Sequence, residues 1–197
     1  QSVSNGTLSI NDGSGLASNY NLTTGTFNIS QRWVTLSGTR NYDGTNTAGS
    51  SDLTISNLVS GETLGLTGNG TVVSKDVGSN KAITDVSLTL ADGSGLAANY
   101  TIGTKTFNIT QKAVTIDGSK VYDGSTSVIS SNISTFNGLA LTETLTINGT
   151  GSVVAPQVGT NKTLTLGTLT IADGTNGGLA SNYTLASGAF DVTTRPI

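Results

Sequence analysis

Along this chain, apolar residues alternate with Thr, Asn or Ser in one short run after another. Val34-Thr35-Leu36, Leu88-Thr89-Leu90, Phe107-Asn108-Ile109, Val114-Thr115-Ile116, Leu145-Thr146-Ile147 and Leu164-Thr165-Leu166 all follow this pattern. A period of two puts the apolar side chains on one face of an extended backbone, so each run predicts a half-buried strand. Val, Ile and Thr add to this because β-branching restricts χ1 and suits a pleated surface. Asp12-Gly13, Asn69-Gly70, Asp92-Gly93 and Asn148-Gly149 offer the positive φ that tight hairpins require. Gly65-Leu66-Thr67-Gly68-Asn69-Gly70 precedes the strand pattern Thr71-Val72-Val73 and predicts a hairpin rather than a phosphate loop. No stretch carries a capped 3.6-residue period. The nearest, Gly95-Leu96-Ala97-Ala98-Asn99, is long enough for one turn.

The pattern repeats. Gly15-Leu16-Ala17-Ser18-Asn19-Tyr20 returns as Gly95-Leu96-Ala97-Ala98-Asn99-Tyr100 and as Gly178-Leu179-Ala180-Ser181-Asn182-Tyr183. Tyr42-Asp43-Gly44 returns as Tyr122-Asp123-Gly124, and Val77-Gly78-Ser79-Asn80-Lys81 as Val158-Gly159-Thr160-Asn161-Lys162. The unit is about eighty residues, too long for one solenoid coil of roughly 20–45 residues, so each unit is expected to be a small module with its own core. Residues 1–31 read as the C-terminal part of a preceding repeat, 32–111 as a full repeat, and 112–197 as a second repeat plus the start of the next. The motifs open and close mid-pattern, which predicts a longer polypeptide. Residues 1–31 are too few to bury a core, and pairing with the following segment would permute the unit boundaries. The expected fold is all-β: tandem immunoglobulin-like β-sandwich modules in an elongated rod. A β-grasp module is the alternative, against which the missing long helix counts.

Composition narrows the chemistry. With no Cys and no His, the chain has no thiol or imidazole nucleophile, no disulfide and no Cys/His zinc site. Charged residues make up 11% and the net charge is −3, with six Lys and three Arg scattered singly, so nothing forms a basic stripe for nucleic acid. No apolar run approaches the ~20 residues of a membrane span. Two Glu and ten Asp show no pair that can be placed across a cleft, and no catalytic residue is expected.

The Tyr-Asp-Gly, Val-Gly-(Ser/Thr)-Asn-Lys and Gly-Leu-Ala-(Ser/Ala)-Asn-Tyr motifs, in fixed order over essentially the whole chain, resemble the YDG repeats of very large bacterial surface proteins. These include filamentous-haemagglutinin-like adhesins exported by two-partner secretion. The resemblance implies an extracellular location, at the cell surface or in a biofilm matrix. It also implies a stalk or ligand-presenting role, with neighbouring repeats of the same chain, surface glycans or matrix polysaccharide as partners. No cofactor is implied.

Four features carry candidate chemistry. Tyr42, Asp43 and Gly44, with Tyr122, Asp123 and Gly124, read either as a carbohydrate contact or as a structural turn with a packed tyrosine. Recurrence in each unit favours the turn, since folding signals must repeat and binding sites need not. Lys81 and Lys162 recur with Asn80 and Asn161 and with Glu62 and Glu143, the ingredients of an intramolecular isopeptide crosslink; the plain alternative is a surface lysine beside a turn. Asp12, Asp92 and Asp173 sit in Asp-Gly loops that suggest Ca2+, but one carboxylate per loop is few for a site of six to eight oxygens, and turn formation is the better reading. Trp33, the sole Trp, has Ala113 as its counterpart and reads as a local packing substitution.

Overall fold

The computed structural model describes residues 1–85 and 87–197. Among them the regular structure is strand, with single 3-10 turns such as Ala97–Asn99 and Ala180–Asn182, and no α-helix. The first unit contributes β1 (Arg32–Asn41), β2 (Thr47–Gly49), β3 (Leu53–Ser56), β4 (Leu64–Thr67), β5 (Asn69–Val72), β6 (Gly78–Asp85), β7 (Thr89–Asp92) and β8 (Tyr100–Thr110). The second repeats them as β9 (Lys112–Val121), β10 (Ser127–Ile129), β11 (Ile133–Asn137), β12 (Leu145–Asn148), β13 (Thr150–Val153), β14 (Gly159–Thr165), β15 (Thr170–Asp173) and β16 (Tyr183–Thr193).

An immunoglobulin-like sandwich would set two antiparallel sheets face to face. Each unit here has instead one mixed sheet of six strands, ordered β2-β5-β6-β8-β1-β3 in the first unit and β10-β13-β14-β16-β9-β11 in the second, with a two-stranded ribbon, β4-β7 or β12-β15. The first and last strands of the unit lie side by side and parallel, Trp33 opposite Thr101 and Ala113 opposite Thr184. The sheet curls at β6, which pairs through Lys81 and Ala82 with β8 and then through Ile83 and Thr84 with β5. A bulge starts that strand: register shifts between Gly78 and Lys81, and Asn80 takes φ 53°, a left-handed conformation that Asn tolerates better than most residues. The Asn80 amide donates to Asn108 Oδ1, and the Asn161 amide, also at φ 53°, to Asp191 Oδ1. The repeated Val-Gly-(Ser/Thr)-Asn-Lys motif is thus the sequence of a bulge.

The alternating runs bury as their period requires. Val34, Leu36, Phe107 and Ile109 are buried in the first unit, and Val114, Ile116, Phe190 and Val192 in the second. The Gly65–Gly70 segment does not form a hairpin. β4 pairs with β7 while β5 pairs with β2 and β6, so the chain changes sheets at Gly68. Gly68 has φ 86°, and a Cβ there would stand 2.0 Å from the Ser87 carbonyl oxygen; Gly149 repeats this with φ 97° and Thr168 O at 2.2 Å. Close backbone approach, not a two-residue turn, requires glycine there.

Residues 1–31 make one isolated bridge, Ser2 to Thr26, and leave Phe27 60% and Ile29 71% exposed, whereas their counterparts Phe107 and Ile109 are buried. β8 buries those side chains by pairing with β1 and β6 of its own unit, partners this segment does not have; β1 takes β8 and not residues 1–31 as its neighbour. The expectation of fully separate cores needs correction. One cluster (Ile116, Val128, Val153, Leu164, Leu169, Phe190, Val192) belongs to the second unit alone. The other joins Val72, Ile83, Phe107 and Ile109 to Val114, Ala140, Leu145 and Tyr183, so the first core runs into the second unit.

Candidate functional site

The most built polar site lies where the units meet, and it joins residues of the repeated motifs to Lys75, Asp76 and Glu143. Tyr42 follows β1, and its amide donates to Thr110 O (2.8 Å), tying it to the end of β8. Its side chain crosses into the second unit, where its OH donates to Glu143 Oε1 at 2.6 Å. Tyr183, at the start of β16, donates to Glu143 Oε2 at 2.7 Å and accepts from the Ala140 amide at 3.0 Å. The two rings meet edge to face, centroids 5.4 Å apart at 80°, a favourable aromatic geometry. Lys75 ion-pairs with Glu143 Oε1 and places its ammonium 5.6 Å from the Tyr42 ring centroid. Beside them Asn182 donates to Asp76 Oδ1 and accepts from the Val77 amide, both at 2.9 Å. Tyr42, Glu143, Asn182 and Tyr183 are each at most 4% exposed.

A buried carboxylate is costly unless its oxygens are satisfied. Burial pushes Glu143 up, but hydrogen bonds from Lys75, Tyr42 and Tyr183 more than offset it and leave the group below its ordinary value. Desolvation and then the Glu143 bond raise Tyr42 and push Tyr183 up to about 12. Lys75 is raised by its bond to Glu143, and Asp76 is lowered by its bond from Asn182. Near neutral pH the joint therefore holds one ion pair, Lys75–Glu143, one further carboxylate, Asp76, bonded by an amide, and two neutral phenols, a binding arrangement rather than a reactive one.

The other residues of the Tyr-Asp-Gly motif serve the same edge. Asp43 Oδ1 accepts from the Thr45 amide (2.8 Å) and hydroxyl (2.9 Å), and Oδ2 ion-pairs with Arg40. In the second unit Lys120 is buried in an oxygen cage of Asp123 Oδ1 (3.0 Å), Ser125 O (2.8 Å), Ser125 Oγ (3.0 Å) and Ser127 O (2.8 Å). The Ser125 amide and Lys120 together lower Asp123 to about 2. Each motif aspartate is thus engaged by its own turn and a built-in cation. Gly44, at φ 82°, lies against Leu141 and Ala140 of the next unit, whereas Gly124, at φ 80°, faces open space.

The remaining candidates fall elsewhere. Asp12, Asp92 and Asp173 each accept from the amide five or seven residues on, at Ala17 (2.5 Å), Ala97 (2.7 Å) and Ala180 (2.7 Å), and so shape the loop before the 3-10 turn. Lys81 lies on β6 and Lys162 on β14, with Lys162 Nζ reaching Ala155 O at 3.4 Å. Glu62 accepts from Tyr100 and Glu143 from the joint, while Asn80 and Asn161 form the bulges, so the crosslink set is not brought together as a group. Trp33 is 68% exposed. Lys75 and Asp76 carry no repeated signal, since Pro156 and Gln157 stand at their places in the second unit. One signal was available for the rest: the only two Glu in the chain occupy the same position in each unit, upstream of the recurring Tyr.

Two tandem all-β units, the first locked to the second by a tyrosine set into the second unit's carboxylate, are the class of structure these features define. The chain belongs to the YDG domain family, which matches it twice, over residues 30–107 and 104–190. No curated protein and no solved structure matches it.

Proposed function

We propose that this chain is a structural segment of an extracellular bacterial adhesin, a stalk whose units hold one another in line. It presents an adhesive region or joins the cell surface to a matrix. Each unit is taken as a helix-free β-grasp-type module rather than a sandwich, on the strength of the parallel pairing of its first and last strands at the centre of a mixed sheet. The observation that carries the functional reading is the buried network of Tyr42, Lys75, Glu143 and Tyr183 between units. Only Gln111 separates β8 from β9, so no linker gives the units freedom to swing. A rod needs stiff joints and asks for no catalytic group, and the repeated motifs supply the joints.

Small-angle scattering tests this. A rigid, elongated particle whose shape is unchanged by ionic strength is the expected result; two globules sampling many orientations would overturn it. A glycan array run on the same chain addresses the carbohydrate-binding alternative. The stalk reading expects no binding, and selective binding abolished by substitutions at Tyr122 would replace it.

A further inference from the structure

The receiving half of the joint occurs twice, and the first copy faces away from the second unit. In the first unit Tyr100 donates to Glu62 and accepts from the Val59 amide at 3.2 Å, as Tyr183 does with Glu143 and Ala140. Asn99, the counterpart of the buried Asn182, is exposed. These residues open onto a recess of about 450 Å³ lined also by Ile29, Ser30 and Gln31. That lining is the counterpart of the internal joint, where Ile109, Thr110 and Gln111 stand beside Tyr183. Gln31 Nε2 donates to Ala98 O at 3.1 Å, as Gln111 Nε2 does to Ser181 O at 3.1 Å. Since Thr110 O holds the Tyr42 amide, a unit ending at Ser30 would deliver its own motif tyrosine beside Glu62.

We propose that the Glu62–Tyr100–Asn99 face receives another unit of this kind, through its Tyr-Asp-Gly tyrosine and a Lys-Asp pair like Lys75-Asp76. The carboxylate decides between the two unit ends in this chain. Lys75 supplies the cation that a half-buried Glu62 lacks among its hydrogen bonds, and Asp76 supplies the acceptor for an asparagine amide; Pro156-Gln157 brings no charge to match. The partner is therefore a unit of the first type. The inference rests on the joint's being what locks units together, and one experiment separates the two ideas.

A second copy of residues 32–111 is inserted between Gln31 and Arg32, with segmental isotope labelling to distinguish the copies, and amide hydrogen exchange is followed by NMR. In the existing chain the Val77 amide is held by Asn182, while Val158 occupies the same place with no unit packed on it. The inserted copy's Val77 amide should exchange as slowly as the original's, roughly tenfold or more below Val158. Asn99→Ala in the receiving unit should release the inserted amide alone. If the inserted amide exchanges like Val158 while the original stays slow, the proposed partner is wrong. If both exchange like Val158, the joint itself fails and the stalk reading with it.

Discussion

Tyr42 and Tyr122 are each followed by Asp-Gly in sequence and have opposite surroundings in space. Both follow the first strand of a unit, and both amides bond to the end of the last strand, Thr110 O at 2.8 Å and Thr193 O at 2.9 Å. Yet Tyr42 is 1% exposed against 40% for Tyr122. Local structure is thus fixed within the unit, and burial is conferred by the neighbour. The same contrast separates Asn182 from Asn99 on the receiving side. A motif that keeps its conformation with or without a neighbour is a preformed connector, so joining units costs little conformational entropy.

Substituting the two tyrosines gives the largest expected difference. Tyr42→Ala removes a buried aromatic and one of the donors to a buried carboxylate, at a cost of about 3–5 kcal/mol. Tyr122→Ala removes a half-exposed ring and should cost about 1 kcal/mol or less. Urea unfolding should show a lower midpoint for the first and near-native behaviour for the second. Equal losses would mean that the tyrosine acts within its own unit.

Glu143 and Glu62 make the next contrast. Glu143→Gln weakens three charge-assisted contacts and should cost about 2–3 kcal/mol, while Glu62→Gln, with its single bond to Tyr100, should cost about 1 kcal/mol at most. The effect is pH-dependent with a defined sign. Glu143 titrates below its ordinary 4.5 in the folded chain, so its contribution is complete above that value and is lost as pH falls through the folded one. Asp76 and Asp123 act in the same direction, so Glu143→Gln should flatten the acid fall in stability without abolishing it. At the alkaline end Tyr42 and Tyr183 lie above their ordinary 10.0 and Lys75 is raised as well. Their contribution is complete below about pH 10 and is lost as pH rises through their raised folded values, about 12 for Tyr183. An alkaline fall of undiminished size in Tyr42→Phe/Tyr183→Phe would assign it to other groups.

How much of this was legible from the residues depends on the range over which each is determined. The strands were, because Val34-Thr35-Leu36 and Phe107-Asn108-Ile109 bury the residues that period two selects. The repeat of about eighty residues followed from the motifs alone. The sheet order did not, since alternation says which face a strand buries and nothing about which strand lies beside it; the parallel pairing of β1 with β8 spans the whole unit. Asn69-Gly70 misled because glycine is required at Gly68 by a carbonyl from Ser87, a contact invisible locally. At the site, the recurrence of Tyr-Asp-Gly and of Glu62 and Glu143 drew attention to residues that the structure sets in turns and hydrogen bonds. That Tyr42 belongs with Glu143 rather than Glu62 is a fact about the neighbouring unit, and a repeat read one unit at a time does not contain it.

Glycine offers the finest version of the comparison. Gly44 and Gly124 have φ 82° and 80°, so alanine at either pays the same backbone term, about 1–2 kcal/mol for an L-residue in the left-handed region. The loss of glycine's unfolded-state entropy is also common to both. What differs is that a Cβ on residue 44 would stand 2.9 Å from Leu141 Cδ1 and 3.3 Å from Ala140 Cβ, whereas on residue 124 it meets nothing within 4 Å. Leu141 is 73% exposed and its side chain has room to turn outward, so the additional cost of Gly44→Ala should be small, roughly 0.5 kcal/mol. Because the backbone terms cancel, that residue of free energy reports the unit-to-unit contact alone. Adding Leu141→Ala should bring Gly44→Ala closer to Gly124→Ala in a double-mutant cycle, leaving only the 3.3 Å approach to Ala140. A difference undiminished by Leu141→Ala would leave Leu141 without part in the strain and assign it to the contact with Ala140 or to the unit's own turn.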